Sequence, residues 1–354
     1  MPSRPGTDAP AERQALAAEP APAGGSRTLP WIKLLVSVGL YALILYATDV
    51  RTIGRHLADA QLAYVAGGVL LYAAGQALST YRWLLLLRPL GLGVPYVHLL
   101  AFYFTGMFFN LFLPTVVGGD AVKALLLARE TGAPARSAIS VFMERNLGLL
   151  ALLTVATIAA TLAPPVVIGG LPLTTVCVLL FAAFLAANAV IASPRAYMLV
   201  DRLIAMSPLA GIRMRAASLY QAVALYRKGL GALAAAALLS FVFQFVVVGV
   251  VFLNARALDL DVPVSALAVF VPLISLAGMI PVTINGLGVR EGLYILLFGQ
   301  LGAPTELAVS LALLFLAVTF FASLPGGIVY AFHRSPSTMA RNTSAADDAA
   351  MRRS

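Results

Sequence analysis

Apolar residues run along this chain in long blocks. Blocks of about 18–25 residues recur from Leu29 to Phe332, each long enough to cross about 30 Å of hydrocarbon as a helix. They do not alternate with period two, which argues against a membrane β-barrel. The blocks predict spans at about 30–48, 62–81, 97–117, 137–162, 172–192, 230–252, 264–284 and 306–332. The expected fold class is all-α, a polytopic transmembrane helix bundle. Residues 1–28 and 334–354 are rich in small and charged residues and read as disordered tails around a membrane domain over 29–333. The first block is longer, and lies further from the terminus, than the core of a cleaved signal peptide, so it reads as a retained span.

Composition agrees with this picture. Of 354 residues, 60% are hydrophobic and 11% charged, against roughly 25% charged in a soluble domain. The net charge of +9 would suggest nucleic acid in a soluble protein. Here the cations sit in short loops and tails, where the positive-inside bias places them, and no nucleic-acid partner is expected. The segment 193–228 carries Arg195, Arg202, Arg213, Arg215, Arg227 and Lys228 against Asp201. It reads as a cytoplasmic amphipathic segment on an anionic lipid surface. The uncharged turn 163–172 and the loop 253–263, with Asp259 and Asp261 against Arg256, suit the outside. Both termini then lie in the cytoplasm and the host is an inner or plasma membrane. Arg51 and Arg55 fit least well, in an outside loop.

Two stretches break the apolar pattern. One runs Asn110-x3-Pro114-x3-Gly118-Gly119-Asp120-x2-Lys123, the other Pro281-x3-Asn285-Gly286-x-Gly288-x-Arg290-Glu291. With Pro114 set on Pro281, Gly119 falls on Gly286 and Lys123 on Arg290. Proline stops a helix and glycine permits a tight turn, so Pro114, Gly118, Gly119, Pro281, Gly286 and Gly288 are expected as turn residues. Irregular backbone survives at membrane depth only where protein buries it or it lines a wet cavity. Each stretch therefore reads as a re-entrant or broken helix. With six full spans, the two elements would enter from opposite faces as an inverted repeat.

Charges at bilayer depth cost about 2.5–3.5 kcal/mol each on insertion scales and usually face a cavity or one another. That makes Asn110, Asp120, Lys123, Glu144, Arg145, Asn285, Arg290 and Glu291 the candidate substrate-binding residues. A helix N-terminus with Lys123 or Arg290 beside it suits an anionic group. The plainer alternatives are an N-cap for Asp120, a snorkelling Lys123, and an interfacial ion pair at Glu144-Arg145. Arg82-Trp83 at the end of the second span reads as a snorkelling pair, and Gln76, Gln244 and Asn188 as interhelical hydrogen bonders. Cys177 is the one cysteine and His56, His98 and His333 are scattered, so neither a disulfide framework nor a metal site is expected. With no P-loop, dinucleotide fingerprint or nucleophile elbow, no cofactor is expected.

With Glu144-Arg145-x2-Gly148 between them, the two broken stretches resemble the flippase-like membrane family typified by the transmembrane domain of lysylphosphatidylglycerol synthases. The resemblance covers about Trp31 to His333. In multiple peptide resistance proteins that domain is associated with moving aminoacylated phosphatidylglycerol across the membrane, while a separate soluble domain makes the lipid. No such soluble domain is expected in this sequence, so lysyl-lipid synthesis is not implied. Some relatives are linked to polyprenyl-linked glycan assembly. The resemblance implies a lipid translocase and no enzyme, moving an anionic, aminoacylated or polyprenyl-linked lipid, with a lipid-synthesising enzyme as a possible partner. A membrane-embedded glycosyl- or headgroup-transferase is the alternative.

Overall fold

The computed structural model describes residues 28–112, 118–162, 166–168, 170–193, 225–226, 229–279, 283 and 286–332. The amphipathic segment expected at 193–228, both tails, Pro114, Pro281 and Asn285 lie wholly or mostly outside these residues. Eleven α-helices make up nearly all of the described chain: α1 (Thr28–Ala47), α2 (Val50–Ala58), α3 (Leu62–Leu87), α4 (Tyr96–Phe112), α5 (Gly118–Thr131), α6 (Pro134–Leu162), α7 (Leu173–Ala192), α8 (Leu230–Ala257), α9 (Val264–Gly278), α10 (Val289–Gly299) and α11 (Thr305–Phe332). A two-residue β-ribbon, Val167–Ile168 against Leu171–Pro172, closes the turn between α6 and α7. Among the described residues, five helices are long and apolar enough to cross a membrane: α3 with the turn that follows it, α6, most of α7, α8 and α11. The protein is an all-α, multi-pass membrane bundle.

The long helices pack through small residues. Between bilayer-embedded helices the hydrophobic effect gives little, so close van der Waals approach must supply the attraction. The α3–α8 pair shows how. A Cβ on Gly75 would stand 2.7 Å from a Val246 methyl, and one on Gly249 3.2 Å from a Leu71 methyl. The helices run antiparallel: Gln61 N–H donates to the Ala257 carbonyl at 2.9 Å at one end, and Arg82 reaches Ser240 at 3.1 Å toward the other. Helix α6 also lies antiparallel to α3, with Trp83 Nε1 donating to Ser140 Oγ at 3.0 Å and Arg136 donating to the Leu90 carbonyl at 3.3 Å.

Both breaks in the pattern are helical hairpins. In α4–α5, Asn110 lies against Gly119 near the tip while His98 meets Glu130 at 3.0 Å near the open end. In α9–α10, the Phe270 and Phe298 rings lie 5.6 Å apart, and a Cβ on Gly286 would stand 3.0 Å from Gly278 Cα. The span expected to reach 284 stops sooner, at Gly278, while 113–117 of the other lie outside the described residues. Gly118 and Gly119 are not turn residues, since both lie inside α5. Gly119 serves approach instead: a Cβ there would sit 2.3 Å from the Gly106 carbonyl oxygen of α4. Gly286 and Gly288 do hold left-handed backbone, at φ 73° and 84°.

Two further differences have plain causes. Helix α3 ends at Leu87 and not near 81, because Leu84 to Leu87 prolong the apolar run, and this draws Arg82 into the bundle. The first loop contains α2, whose nine residues are too few for a helical signal to stand out. Asp49 caps it, accepting from Arg51 N–H at 2.9 Å and the Thr52 hydroxyl at 2.7 Å. Those two bonds, the Thr52 bond foremost, hold the Asp49 carboxyl below its usual range. Ile53 is buried while Arg51 and Arg55 face out, so these arginines are the polar face of an amphipathic helix.

Gly326 of α11 makes the closest approach: a Cβ there would lie 1.9 Å from the Phe104 carbonyl oxygen of α4. Gly326→Val is expected to cost about 3 kcal/mol, the upper end for overpacking. Gly231→Ala, with open space around it, is expected to be neutral or slightly stabilising. Denaturation midpoints in detergent check both.

Candidate functional site

The site grows from one carboxylate. Glu144 lies one-third of the way along α6, is 2% exposed, and faces α3, α4 and α5. Its Oε1 accepts from Arg82 Nη2 of α3 at 2.9 Å and from the Tyr103 hydroxyl of α4 at 2.9 Å. Its Oε2 accepts from Lys123 Nζ of α5 at 2.8 Å. Lys123 also reaches Asp120 Oδ1 at 3.4 Å, and the other Asp120 oxygen accepts from Arg145 Nε. Glu144 and Arg145 are sequence neighbours, about 100° apart around α6. One therefore serves the buried core of the cluster and the other its open edge.

Burial sets the energetics. An ion pair taken from water loses hydration that the pair alone rarely restores, so the remaining lone pairs and protons must be satisfied. Here all four carboxylate oxygens have partners. The Lys123 ammonium also lies 4.1 Å from the Tyr103 ring centre and 5.2 Å from that of Trp83. Arg82 stacks over Phe243 at 5.7 Å and donates to Ser240. Three cations face two carboxylates, so the cluster carries one excess positive charge. Arg82 Nε is buried and has no partner among the described residues. The Arg145 side chain is 45% exposed.

This cluster forms one wall of a cavity of about 310 Å³. Tyr72, Gln76, Asn110, Gln244 and Ser275 add neutral polar groups to its lining. A second cavity of about 150 Å³ shares Ser275, Met279 and Phe315 with the first and reaches Arg290 and Tyr294. Arg290 is held by its neighbour Glu291 at 3.0 Å. Glu291 is fully buried and its other oxygen accepts from Gly288 N–H at 2.6 Å, the carboxylate half of a capping box at the start of α10.

Asn110, Asp120, Lys123, Glu144 and Arg145 thus line one cavity, while Arg290 lines its neighbour with Glu291 behind it; Asn285 is outside the described residues. Asp120 sits within the first turn of α5 and pairs with cations, which departs from a simple N-cap. Lys123 is 5% exposed and does not snorkel. Sequence reasoning missed Arg82, read as an interfacial side chain, because its position depends on where α3 ends. Tyr103 and Tyr72 carried no signal, since aromatic residues are common in apolar spans. Asn188 does bond between helices, accepting from Asn146 at 2.8 Å. Among the described residues no three His, Cys, Asp or Glu side chains gather as metal ligands.

An all-α membrane bundle with a charged cluster buried in its spans and two helical hairpins beside it is the class that fold and site define. The sequence matches the family described as the lysylphosphatidylglycerol synthase TM region over residues 31–326, and the chain belongs to that family. No curated protein and no solved structure matches it.

Glu144→Ala leaves Arg82 without a carboxylate and Lys123 with Asp120 alone, and is expected to cost roughly 3–5 kcal/mol. Adding Lys123→Met should recover part of that loss. Thermal unfolding in detergent checks both; an unchanged midpoint in Glu144→Ala would refute the central role of Glu144.

Proposed function

We propose that this protein is a lipid translocase of an inner or plasma membrane, and not an enzyme. The observation that carries the proposal is the positively charged cluster buried among spanning helices and lining a cavity. Charges are costly in such a place and usually mark a substrate path. Membership of a family named for the membrane region of a lipid synthase supports a lipid as cargo.

The lipid headgroup enters the cavity between the two hairpins while its acyl or prenyl tails stay in the bilayer. Arg145, lining the larger cavity, and Arg290, lining its smaller neighbour, bind phosphate. Lys123 and Arg82 set the field from behind, held by Glu144 and Asp120. The hairpins act as an inverted repeat, with a headgroup site between them and alternating access by rocking of one against the other. The basic segment 193–228 rests on the anionic cytoplasmic leaflet, both termini face the cytoplasm, and an enzyme that makes the lipid supplies the cargo.

The test is leaflet exchange of labelled lipids in proteoliposomes. Wild-type protein should exchange lipid without altering it. Arg145→Gln and Arg290→Gln should each lower the rate about tenfold, the scale of one lost charge-assisted contact, at unchanged folded yield. Wild-type rates in both variants would remove the phosphate role. A new lipid product without exchange would mark a membrane-embedded transferase instead.

A further inference from the structure

The charges around the two neighbouring cavities differ sharply in availability. All six carboxylate oxygens of Asp120, Glu144 and Glu291 are already engaged: those of Asp120 by an ion pair to Lys123 at 3.4 Å and by Arg145, those of Glu144 by Arg82, Tyr103 and Lys123, and those of Glu291 by Arg290 and Gly288 N–H. A charged amine entering the cavity meets no free carboxylate among the described residues. Nor does it meet a free aromatic cage. The rings best placed for a cation, Tyr103 and Trp83, are occupied by Lys123 at 4.1 and 5.2 Å. Tyr72 turns its ring against Phe315, edge to face at 6.2 Å.

Donors, by contrast, remain. Arg145 spends only its Nε on Asp120, and both of its terminal nitrogens lack partners among the described residues. Arg82 Nε is buried without one. Arg290 spends Nε and Nη2 on Glu291 and keeps Nη1. The cluster's excess charge is positive, and in a site away from bulk water an added ammonium is repelled while an added phosphate is attracted.

We propose that the headgroup accepted here is a lipid phosphate carrying no free amine, so that aminoacylated phosphatidylglycerol is rejected. The shared chemistry is an anionic phosphate on a lipid, whether the diester of phosphatidylglycerol or a polyprenyl monophosphate. Selection works by withheld carboxylates as much as by offered guanidinium groups, a repulsive element of the kind specificity often needs. The inference rests on the translocase reading for its biology, but charge selection is a binding property and is measured apart from transport.

The experiment has two arms on the full chain. In detergent, the thermal midpoint is followed against short-chain phosphatidylglycerol, lysyl-phosphatidylglycerol and a polyprenyl monophosphate. In phosphatidylcholine vesicles, leaflet exchange of the same labelled lipids is followed. At least one amine-free lipid should bind and exchange about tenfold better than lysyl-phosphatidylglycerol, and Arg145→Gln should erase that preference. The stronger of the two amine-free lipids identifies the source. Equal or tighter binding of lysyl-phosphatidylglycerol overturns the proposal, as does a preference that survives Arg145→Gln. Selective binding with no exchange of any lipid sustains charge selection and sinks the translocase reading.

Discussion

Glu144 is the residue on which the first half of the molecule depends. It stands on α6 and receives hydrogen bonds from α3, α4 and α5 at 2.8–2.9 Å. In a bilayer, apolar side chains gain nothing by leaving lipid for one another, so non-directional burial does not fix which helix faces which. A buried carboxylate does, because each partner must arrive at one distance and angle. The register of α3 against α6, seen also in the Trp83–Ser140 bond, follows from the need to put Arg82 opposite Glu144. The position of the first hairpin follows from the need to bring Lys123 to the other oxygen.

Small residues make this arrangement reachable. Lys123 meets Glu144 only if α5 lies close on α4, and that approach exists because Gly106 and Gly119 face each other. Gly326 then lets α11 settle on the back of α4. The glycines that look in the sequence like generic turn formers divide into two groups. Gly286 and Gly288 supply left-handed backbone at the start of α10. Gly106, Gly119 and Gly326 supply proximity.

That division explains what was legible. Helix content and span positions could be read from the apolar blocks, because helix length is set by bilayer thickness and backbone satisfaction. The breaks near Pro114 and Pro281 were visible for the same reason. The charged residues of the site were conspicuous because charge is scarce in spans. Their pairing was not legible: Lys123 and Glu144 are 21 positions apart, Arg82 and Glu144 62 positions apart, and no local rule links them. Arg82 was misplaced because a shift of six residues in the end of α3 turns an interfacial side chain into a buried one. Helix α2 was overlooked because nine residues between two spans carry too short a period to separate from a polar loop.

The two hairpins carry their charges differently. In the first, Lys123 and Asp120 are tied to α6, and through Glu144 to α3, by bonds that cannot be broken singly without stranding a buried charge. In the second, Arg290, Glu291 and Gly288 satisfy one another within the first turn of α10. Tyr294, Leu297 and Phe298 of α10 lie in the apolar core, and Leu40 of α1 packs against Gly288. A shared carboxylate fixes its partners in distance and angle, because each donor must reach it with good geometry. The two cavities therefore lie between a hairpin whose charges are shared with α6 and α3, beside which Arg145 stands, and one whose charges, Arg290 among them, are satisfied within its own first turn.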